Sequence, residues 1–261
     1  MTRILQLTDL HVFSEPHVRL KGIPTRECLQ DVVNHILQTE APFDHVVITG
    51  DHTHDERPAS YQAVREILSP FGDRLWQVPG NHDDRSVLRS VFPDRTGSAA
   101  DPYVTFHFTD GPWLCLGLDT HLPGEVSGII QHDQIDWITA QLQASAAERV
   151  ALFCHHPPVD VNSVWMDAIG LRGRELLQDV VRNDSRIRLV CCGHVHHDFH
   201  STVSDADVYA TPSTGIQFDP AGDVPRFSRD APGYRVIELD GLNCSTVVKR
   251  LPVAEYFPVV D

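Results

Sequence analysis

The sequence has few lysines and no long apolar run. Lys21 and Lys249 are its only lysines, and 36 acidic residues outnumber 21 basic ones, which gives a formal charge of −15. That charge repels phosphate polymers and anionic lipid, so we expect neither a nucleic-acid polymer nor a membrane as partner. Apolar runs such as Val46–Ile48 and Leu189–Cys192 are far shorter than the roughly 18 residues that a spanning helix needs.

Cysteine is scattered rather than paired. No C-x-x-C pair occurs, which argues against a cysteine zinc site. Most of the cysteines lie in apolar runs typical of strands, so we predict reduced and buried side chains; they are Cys28, Cys115, Cys154, Cys191, Cys192 and Cys244. The chain opens Met-Thr-Arg-Ile-Leu without a basic-then-apolar leader, and we expect a cytoplasmic protein.

Several common catalytic signatures are also missing. There is no Gly-Lys pair of a P-loop, no G-x-G-x-x-G and no G-x-S-x-G, so the enzyme classes built on them are not supported. The scattered arginines do not suggest the basic groove of a DNA nuclease. Histidine, in contrast, is abundant, with 16 residues. Histidine is the commonest metal ligand, so the positions of these 16 residues in the sequence indicate whether the protein binds metal.

Short apolar runs alternate with longer amphipathic stretches, which predicts one layered α/β domain over residues 1–261. The predicted strands are Arg3–Leu7, His45–Thr49, Leu75–Val78, Tyr103–Phe108, Trp113–Leu118, Val150–Cys154, Ile187–Cys192, Phe199–Val203, Asp207–Ala210, Tyr234–Leu239 and Ser245–Leu251. The predicted helices are Thr25–Gln38, Pro58–Ser69, Asp84–Val91, Gln131–Ala144 and Leu171–Arg182. Asp110-Gly111 indicates a hairpin, so the sheets should be mixed.

Five short polar segments each follow a predicted strand directly. They are Asp9-Leu10-His11, Gly50-Asp51, Gly80-Asn81-His82-Asp83, His155-His156-Pro157 and Gly193-His194-Val195-His196. Ligands of open α/β sheets bind beyond the carboxyl ends of the strands, so these segments can converge on one edge. Within the first and last segments, an extended backbone would point both ligand-type side chains to one side.

The side chains of these segments offer oxygen and nitrogen but no thiolate. Such a set suits zinc, iron(II), manganese or cobalt. Two aspartates, one asparagine and four histidines are more than a single ion uses, whereas a carboxylate shared by two ions accounts for the excess. Paired ions are a known device for displacement at a phosphoester.

Taken together, the five segments resemble the calcineurin-like metallophosphoesterase superfamily. Further segments are similar to the bacterial class III cyclic-nucleotide phosphodiesterase branch, namely Leu118–His121, Thr211–Thr214, Gln217-Phe218 and Ala231–Gly233. The resemblance implies a four-layer α-β-β-α sandwich of two mixed sheets flanked by helices.

The resemblance also implies roles by position. Asp9, His11 and His196 would hold the first metal. Asn81, His155 and His194 would hold the second, and Asp51 would bridge both. His82 would contact the phosphate beside Asn81 and protonate the leaving oxygen. Two divalent ions are implied, Fe²⁺ and/or Mn²⁺ ahead of Zn²⁺ or Co²⁺. From the sequence alone, His156 could exchange roles with His155.

The implied reaction is hydrolysis of 3′,5′-cyclic AMP, or a related cyclic nucleotide, by a hydroxide held between the ions. The alternative is a glycerophosphodiesterase or a broad-specificity phosphodiesterase, and a non-catalytic scaffold with this fold is less favoured. The motifs G-D-x-V-D-R-G and G-N-H-E, typical of protein serine/threonine phosphatases, are absent from the sequence. A homodimer is a further expectation. His52-Thr53-His54-Asp55 follow Gly50-Asp51, where relatives often have an apolar residue next, and we predict that His54 reaches the pocket mouth and touches substrate.

Overall fold

The strands of the protein form two large sheets, and helices cover their outer faces. A computed structural model describes residues 1–94, 96 and 101–259. The strands are β1 (Thr2–Leu7), β2 (His45–Thr49), β3 (Leu75–Val78), β4 (Phe106–Asp110), β5 (Trp113–Gly117), β6 (Gly128–Ile129), β7 (Arg149–Phe153), β8 (Leu171–Arg172), β9 (Ile187–Cys192), β10 (Phe199–Val203), β11 (Ala206–Ala210), β12 (Gly233–Asp240) and β13 (Asn243–Arg250).

The helices occur between the strands. They are α1 (Thr25–Thr39), α2 (Pro58–Leu68), α3 (Arg85–Val91), α4 (His132–Ala144), α5 (Val164–Asp167) and α6 (Arg174–Asn183), with a 3₁₀ segment at Ser69–Arg74. Asp84 caps α3, because its carboxylate accepts the backbone N–H groups of Ser86 and Val87. No helix in the described part of the chain is long and apolar enough to cross a membrane.

Both large sheets are mixed. The first has the order β13-β12-β1-β2-β3 and the second has the order β10-β11-β9-β7-β5-β4, while β6 and β8 form a separate pair. In the first sheet β1, β2 and β3 run parallel. In the second, β5, β7, β9 and β11 run parallel, and β4 pairs with β5 through the predicted hairpin. The parallel strands place several carboxyl ends at one edge of each sheet.

Three apolar clusters separate four layers. Leu5 and Leu7 of β1 pack with the buried faces of α1 and α2 on one outer side. Ile4, from the same strand, points the other way and packs between the sheets with side chains such as Phe153. A third cluster joins the second sheet to α4 and α6, with Ile138 among its members. The predicted fold class is confirmed, whereas the single-domain boundary 1–261 stays a prediction.

Some predicted boundaries were wrong. The helix predicted at Leu171–Arg182 begins only at Arg174, because Gly173 has a left-handed backbone with φ of 72° and Leu171–Arg172 pairs as a short strand. The strand predicted from Tyr103 begins at Phe106. All six cysteines are free, as predicted, and all but Cys244 are buried. Residues 220–232 contain no helix or strand.

Candidate metal centre

The five polar segments converge where the parallel strands of the two sheets end. The backbone N–H of Asp9 donates to Gly50 at 3.1 Å, and that of His11 donates to Asp51 at 2.9 Å, which joins the loops after β1 and β2. The N–H of Gly193 donates to the carbonyl of His155 at 2.9 Å, which joins the loops after β7 and β9. The predicted convergence is therefore present.

The backbone of these loops is turned rather than extended. Asp9, His11, Asp51, His194 and His196 all have positive φ, between 47° and 70°. Left-handed backbone is uncommon for residues other than glycine and clusters at functional sites. The condition of an extended backbone is therefore not met at these residues, although the paired side chains still reach a common site.

Glycine permits a close approach of two loops at two points. A Cβ atom on Gly80 would lie 2.1 Å from a carboxylate oxygen of Asp51, and one on Gly193 would lie 1.9 Å from the hydroxyl of Thr8. No side chain fits at those distances. The two glycines let the neighbouring strand ends close around the site.

The first group of side chains contains Asp9, His11 and His196. His196 donates from Nδ1 to the carbonyl of Ile216 at 2.8 Å, so its Nε2 is left as an acceptor. That Nε2 lies 3.1 Å from Nε2 of His11 and 3.2 Å from Oδ1 of Asp9. Burial works to raise the pKa of Asp9, but when Nε2 of His196 is also protonated, its charge and hydrogen bond outweigh burial and lower the pKa to about 2. A metal cation bound between the two side chains would supply the positive charge in place of that proton.

The second group contains Asn81, His155 and His194. His155 donates from Nδ1 to Thr49 at 2.7 Å, and His194 faces the carbonyl of Ile169 with Nε2 at 3.2 Å. The remaining ring nitrogens are then acceptors, and they lie 3.1 Å and 3.0 Å from the side-chain oxygen of Asn81. Acceptors facing an acceptor repel one another unless a cation lies between them.

Asp51 lies between the two groups. One carboxylate oxygen is 3.4 Å from Nε2 of His11, and the other is 3.5 Å from Nε2 of His155. The backbone N–H of His82 donates to the same carboxylate at 2.8 Å. Burial raises the pKa of Asp51 despite the opposing charges of His155 and His82. The residues present therefore fit a pair of cations that share one carboxylate.

The two neighbouring histidines after β7 occupy different environments. Both ring nitrogens of His156 have partners: Nδ1 lies 2.8 Å from the hydroxyl of Thr120 and Nε2 lies 3.0 Å from the carbonyl of Val126. His155, in contrast, directs one nitrogen into the centre. The geometry favours His155 over His156 as the ligand.

The other histidines of the motifs surround the opening. The rings of His54 and His82 stack at 4.6 Å, and Nδ1 of His54 lies 3.2 Å from Nδ1 of His11. Burial lowers the pKa of His54 to about 4, and the charge of His82 contributes. His82 is only half-buried. Both side chains are therefore within reach of a ligand that enters the centre.

One supporting segment entered the sequence analysis only through the resemblance to the class III branch, without a role at the site. In the loop after β11, the hydroxyl of Ser213 donates to the backbone carbonyl of Asp9 at 2.7 Å, and the Phe218 ring stacks on His196 at 4.1 Å. The carbonyl of Ile216 orients His196, as described above. Residue spacing does not reveal this support, because the contact of Ser213 with Asp9 joins residues 204 positions apart.

The Leu118–His121 segment supports the neighbouring side of the centre. The carboxylate of Asp119 accepts two hydrogen bonds from Arg85, at 2.6 and 2.9 Å. Thr120 contacts His156, as noted above. His121 is 7% exposed, and its Nδ1 has no partner among the described residues. The segment thus packs a neutral imidazole behind the centre.

Comparison with known proteins identifies the class. The sequence profile of the calcineurin-like phosphoesterase family matches residues 2–198, and the chain belongs to that family. A protein from Escherichia coli (strain K12) named 3′,5′-cyclic adenosine monophosphate phosphodiesterase CpdA is 32% identical over 258 residues, which cover 98% of this chain and 92% of that protein. A protein of the same name from Pseudomonas aeruginosa is 32% identical, over 90% of this chain and 85% of that protein. The predicted family and branch are confirmed.

Solved structures show the same fold at lower identity. A dimetal phosphatase from Danio rerio is 18% identical with a TM-score of 0.70, covering 91% of this chain and 92% of that one. The purple acid phosphatase PPD1 from yellow lupin is 12% identical with a TM-score of 0.69, covering 98% of this chain and 52% of that one. Membership of the family implies two divalent ions, which agrees with the two groups of side chains described above.

We expect His121 to make stability depend on pH. Burial lowers the pKa of His121, and the charge of Arg85 lowers it further. The unfolded chain therefore binds a proton that the folded chain excludes once the pH falls below about 6.5, so stability falls with pH. The free energy of unfolding should decline more steeply between about pH 7 and 5 in the wild type than in His121→Gln, by at most about 1.4 kcal/mol per pH unit.

Urea denaturation of chelator-treated protein at several pH values measures this difference. His17→Gln, at an exposed position, is the matched control and should follow the wild type. Parallel curves for the wild type and His121→Gln would contradict the expectation.

Proposed function

We propose that the protein is a dinuclear-metal phosphodiesterase that hydrolyses 3′,5′-cyclic AMP to the nucleoside monophosphate. The observation that carries the proposal is the convergence of buried carboxylate, amide and imidazole acceptors around Asp51, because bound cations pair with all of them at once. The relatives described above have cyclic-AMP names over nearly the whole chain, which favours this substrate over glycerophosphodiesters. The same intact set of ligands argues against a scaffold that has lost its metals.

In this proposal each metal has its own ligands and shares one. Asp9, His11 and His196 would hold the first, Asn81, His155 and His194 would hold the second, and Asp51 would be shared by both. Fe²⁺ or Mn²⁺ suits the mixed oxygen and nitrogen donors, with Zn²⁺ or Co²⁺ as alternatives. When bound, the ions supply Lewis acidity that activates water and stabilises charge on the phosphoryl oxygens.

The protein's own side chains position the substrate and move the proton. Asn81 and His82 face the phosphoryl group, and His54 contacts the substrate at the opening. Hydrolysis forms a bond from the water oxygen to phosphorus and breaks the bond to the leaving alkoxide. His82 donates a proton to that alkoxide oxygen, and the proton that the water loses passes to solvent, from which His82 is protonated again. The stacked ring of His54 and the hydrogen bond from the His82 backbone to Asp51 hold His82 in place for this transfer.

Two bound cations would also explain how an acidic protein can bind an anionic substrate. A formal charge of −15 repels a phosphate ester at long range. Two divalent ions reverse the sign of the potential where the phosphate binds. The cytoplasmic location, the homodimer and the absence of a nucleic-acid partner stay predictions.

A turnover panel tests the proposed function. Purified protein is loaded with Mn²⁺, Fe²⁺ or Zn²⁺ and given cyclic AMP, cyclic GMP, 2′,3′-cyclic nucleotides, glycerophosphodiesters and bis(p-nitrophenyl) phosphate. We expect metal-dependent turnover with cyclic AMP preferred in kcat/KM. A higher kcat/KM for a glycerophosphodiester would change the assigned substrate to that class. Protein that neither binds metal nor turns over any of these compounds would refute the proposed enzymatic function.

We expect Asp51→Ala to lose metal at both positions, because its carboxylate lies between the two groups. Elemental analysis after dialysis, and titration with Mn²⁺, measure the stoichiometry. Asp55→Ala, a partly exposed carboxylate four residues later, is the control and should retain two ions. Two tightly held ions in Asp51→Ala would remove the bridging role.

We expect His82→Ala to retain metal but to lose kcat mainly on poor leaving groups. The loss on cyclic AMP should be of the order of 10²-fold, the usual contribution of a positioned general acid. With p-nitrophenolate, which leaves without protonation, the loss should be much smaller. Steady-state kinetics on both substrates check this, and equal losses would refute the proton-donor role.

A further inference from the structure

His52 is a fully buried polar side chain in the loop after β2. It is 0% exposed, yet both ring nitrogens face polar partners. Nδ1 lies 3.0 Å from a carboxylate oxygen of Asp83, and Nε2 lies 3.0 Å from the terminal amide of Gln77, whose NH2 group can donate to it. Because a carboxylate can only accept, the proton between His52 and Asp83 belongs to Nδ1. A residue that merely filled space would not need these partners.

The carboxylate of Asp83 joins two loops of the centre. It accepts the backbone N–H of His52 at 3.1 Å and the backbone N–H of Gly80 at 2.9 Å. The hydroxyl of Tyr61 donates to it at 3.0 Å and itself accepts the N–H of Asp84 at 2.6 Å. With Nδ1 of His52, these donors surround a carboxylate that is 1% exposed. The loop after β2 and the loop after β3 are therefore fixed to one buried anion.

Two residues of the proposed reaction lie between these fixed points. Asn81 and His82 are the residues between Gly80 and Asp83, so their backbone is anchored at both ends. The hydroxyl of Thr53, next to His52, also donates to the carbonyl of His82 at 3.1 Å. Loss of one buried donor to Asp83 would loosen this short loop where position matters most.

We propose that His52 is a positioning residue that acts through Asp83 on Asn81 and His82. This inference rests on the proposed function. It goes beyond that function because the ring nitrogens of His52 face Asp83 and Gln77, which are not among the proposed ligands or substrate contacts. The imidazole of His52 fixes the orientation of the Asp83 carboxylate, and that carboxylate fixes the backbone of the loop. The loop in turn fixes the positions of the Asn81 amide oxygen and the His82 ring.

Three substitutions separate positioning from packing. His52→Asn keeps an N–H donor near the place of Nδ1, His52→Gln moves it toward Nε2, and His52→Leu removes it. We expect kcat on cyclic AMP to fall about tenfold in His52→Leu and His52→Gln and less than about threefold in His52→Asn. The loss should be larger on cyclic AMP than on bis(p-nitrophenyl) phosphate, because His82 is displaced.

Metal titration is a readout that does not depend on turnover. Since Asn81 belongs to the second group of ligands, Mn²⁺ titration of His52→Leu should show weaker binding of one ion and unchanged binding of the other. Val64→Ala is the matched control, because Val64 is buried in α2 one turn after Tyr61 and cannot hydrogen bond to Asp83. It should lower the melting temperature while leaving the substrate ratio and the titration unchanged.

The outcomes are distinguishable. If His52→Leu behaves like Val64→Ala, with lower stability but wild-type kcat, substrate ratio and titration, the positioning role is wrong. If the wild type has no turnover, the proposed function fails, and the Mn²⁺ titration still decides on His52. Should His52→Leu not fold, Tyr61→Phe removes another donor to Asp83 and should shift the substrate ratio in the same direction; an unchanged ratio would overturn the inference.

Discussion

The structure depends on a set of buried acceptor atoms that face one another without donors between them. Histidine nitrogens, the oxygen of Asn81 and the carboxylates of Asp9 and Asp51 meet at about 3.0–3.5 Å where the two sheets end. Burying such groups unpaired costs several kcal/mol, and repulsion among them adds to the cost. Burial of the apolar clusters on both sides of each sheet stabilises the fold and offsets this cost.

The rest of the molecule keeps these atoms from relaxing apart. Left-handed backbone at ligand-type residues and glycines without room for a Cβ fix the loops. Behind the loops, backbone carbonyls orient the imidazoles and the loop after β11 supports Asp9 and His196. Arg235, buried in β12, adds a link between the sheets by donating to Asp198 at 2.6 Å, just after His196. Such support is what makes ligand positions precise enough for catalysis.

Much of the site could be predicted because its motifs are local. Each ligand-type residue lies within four residues of a strand end, and an apolar run with a polar end can be recognised in the sequence alone. The contacts of Phe218 with His196 and of Ser213 with Asp9 could not be predicted in that way, since they join distant segments. The start of α6 was missed because Gly173 turns the chain where the apolar pattern continues. Propensity and periodicity carry no information about such a turn when a neighbouring strand pair decides it.

The sequence by itself determined the kind of chemistry, the class of fold and the residues that meet at the centre. Tertiary structure decided what each neighbouring residue does. His155 and His156 are identical in type and adjacent in the chain, yet one faces the centre and the other is bound on both sides by Thr120 and Val126. Likewise His52 turns inward to Asp83 while His54 turns to His11 and His82. The reason is physical: a side chain's role depends on which partners lie within hydrogen-bond distance, and these come from other strands.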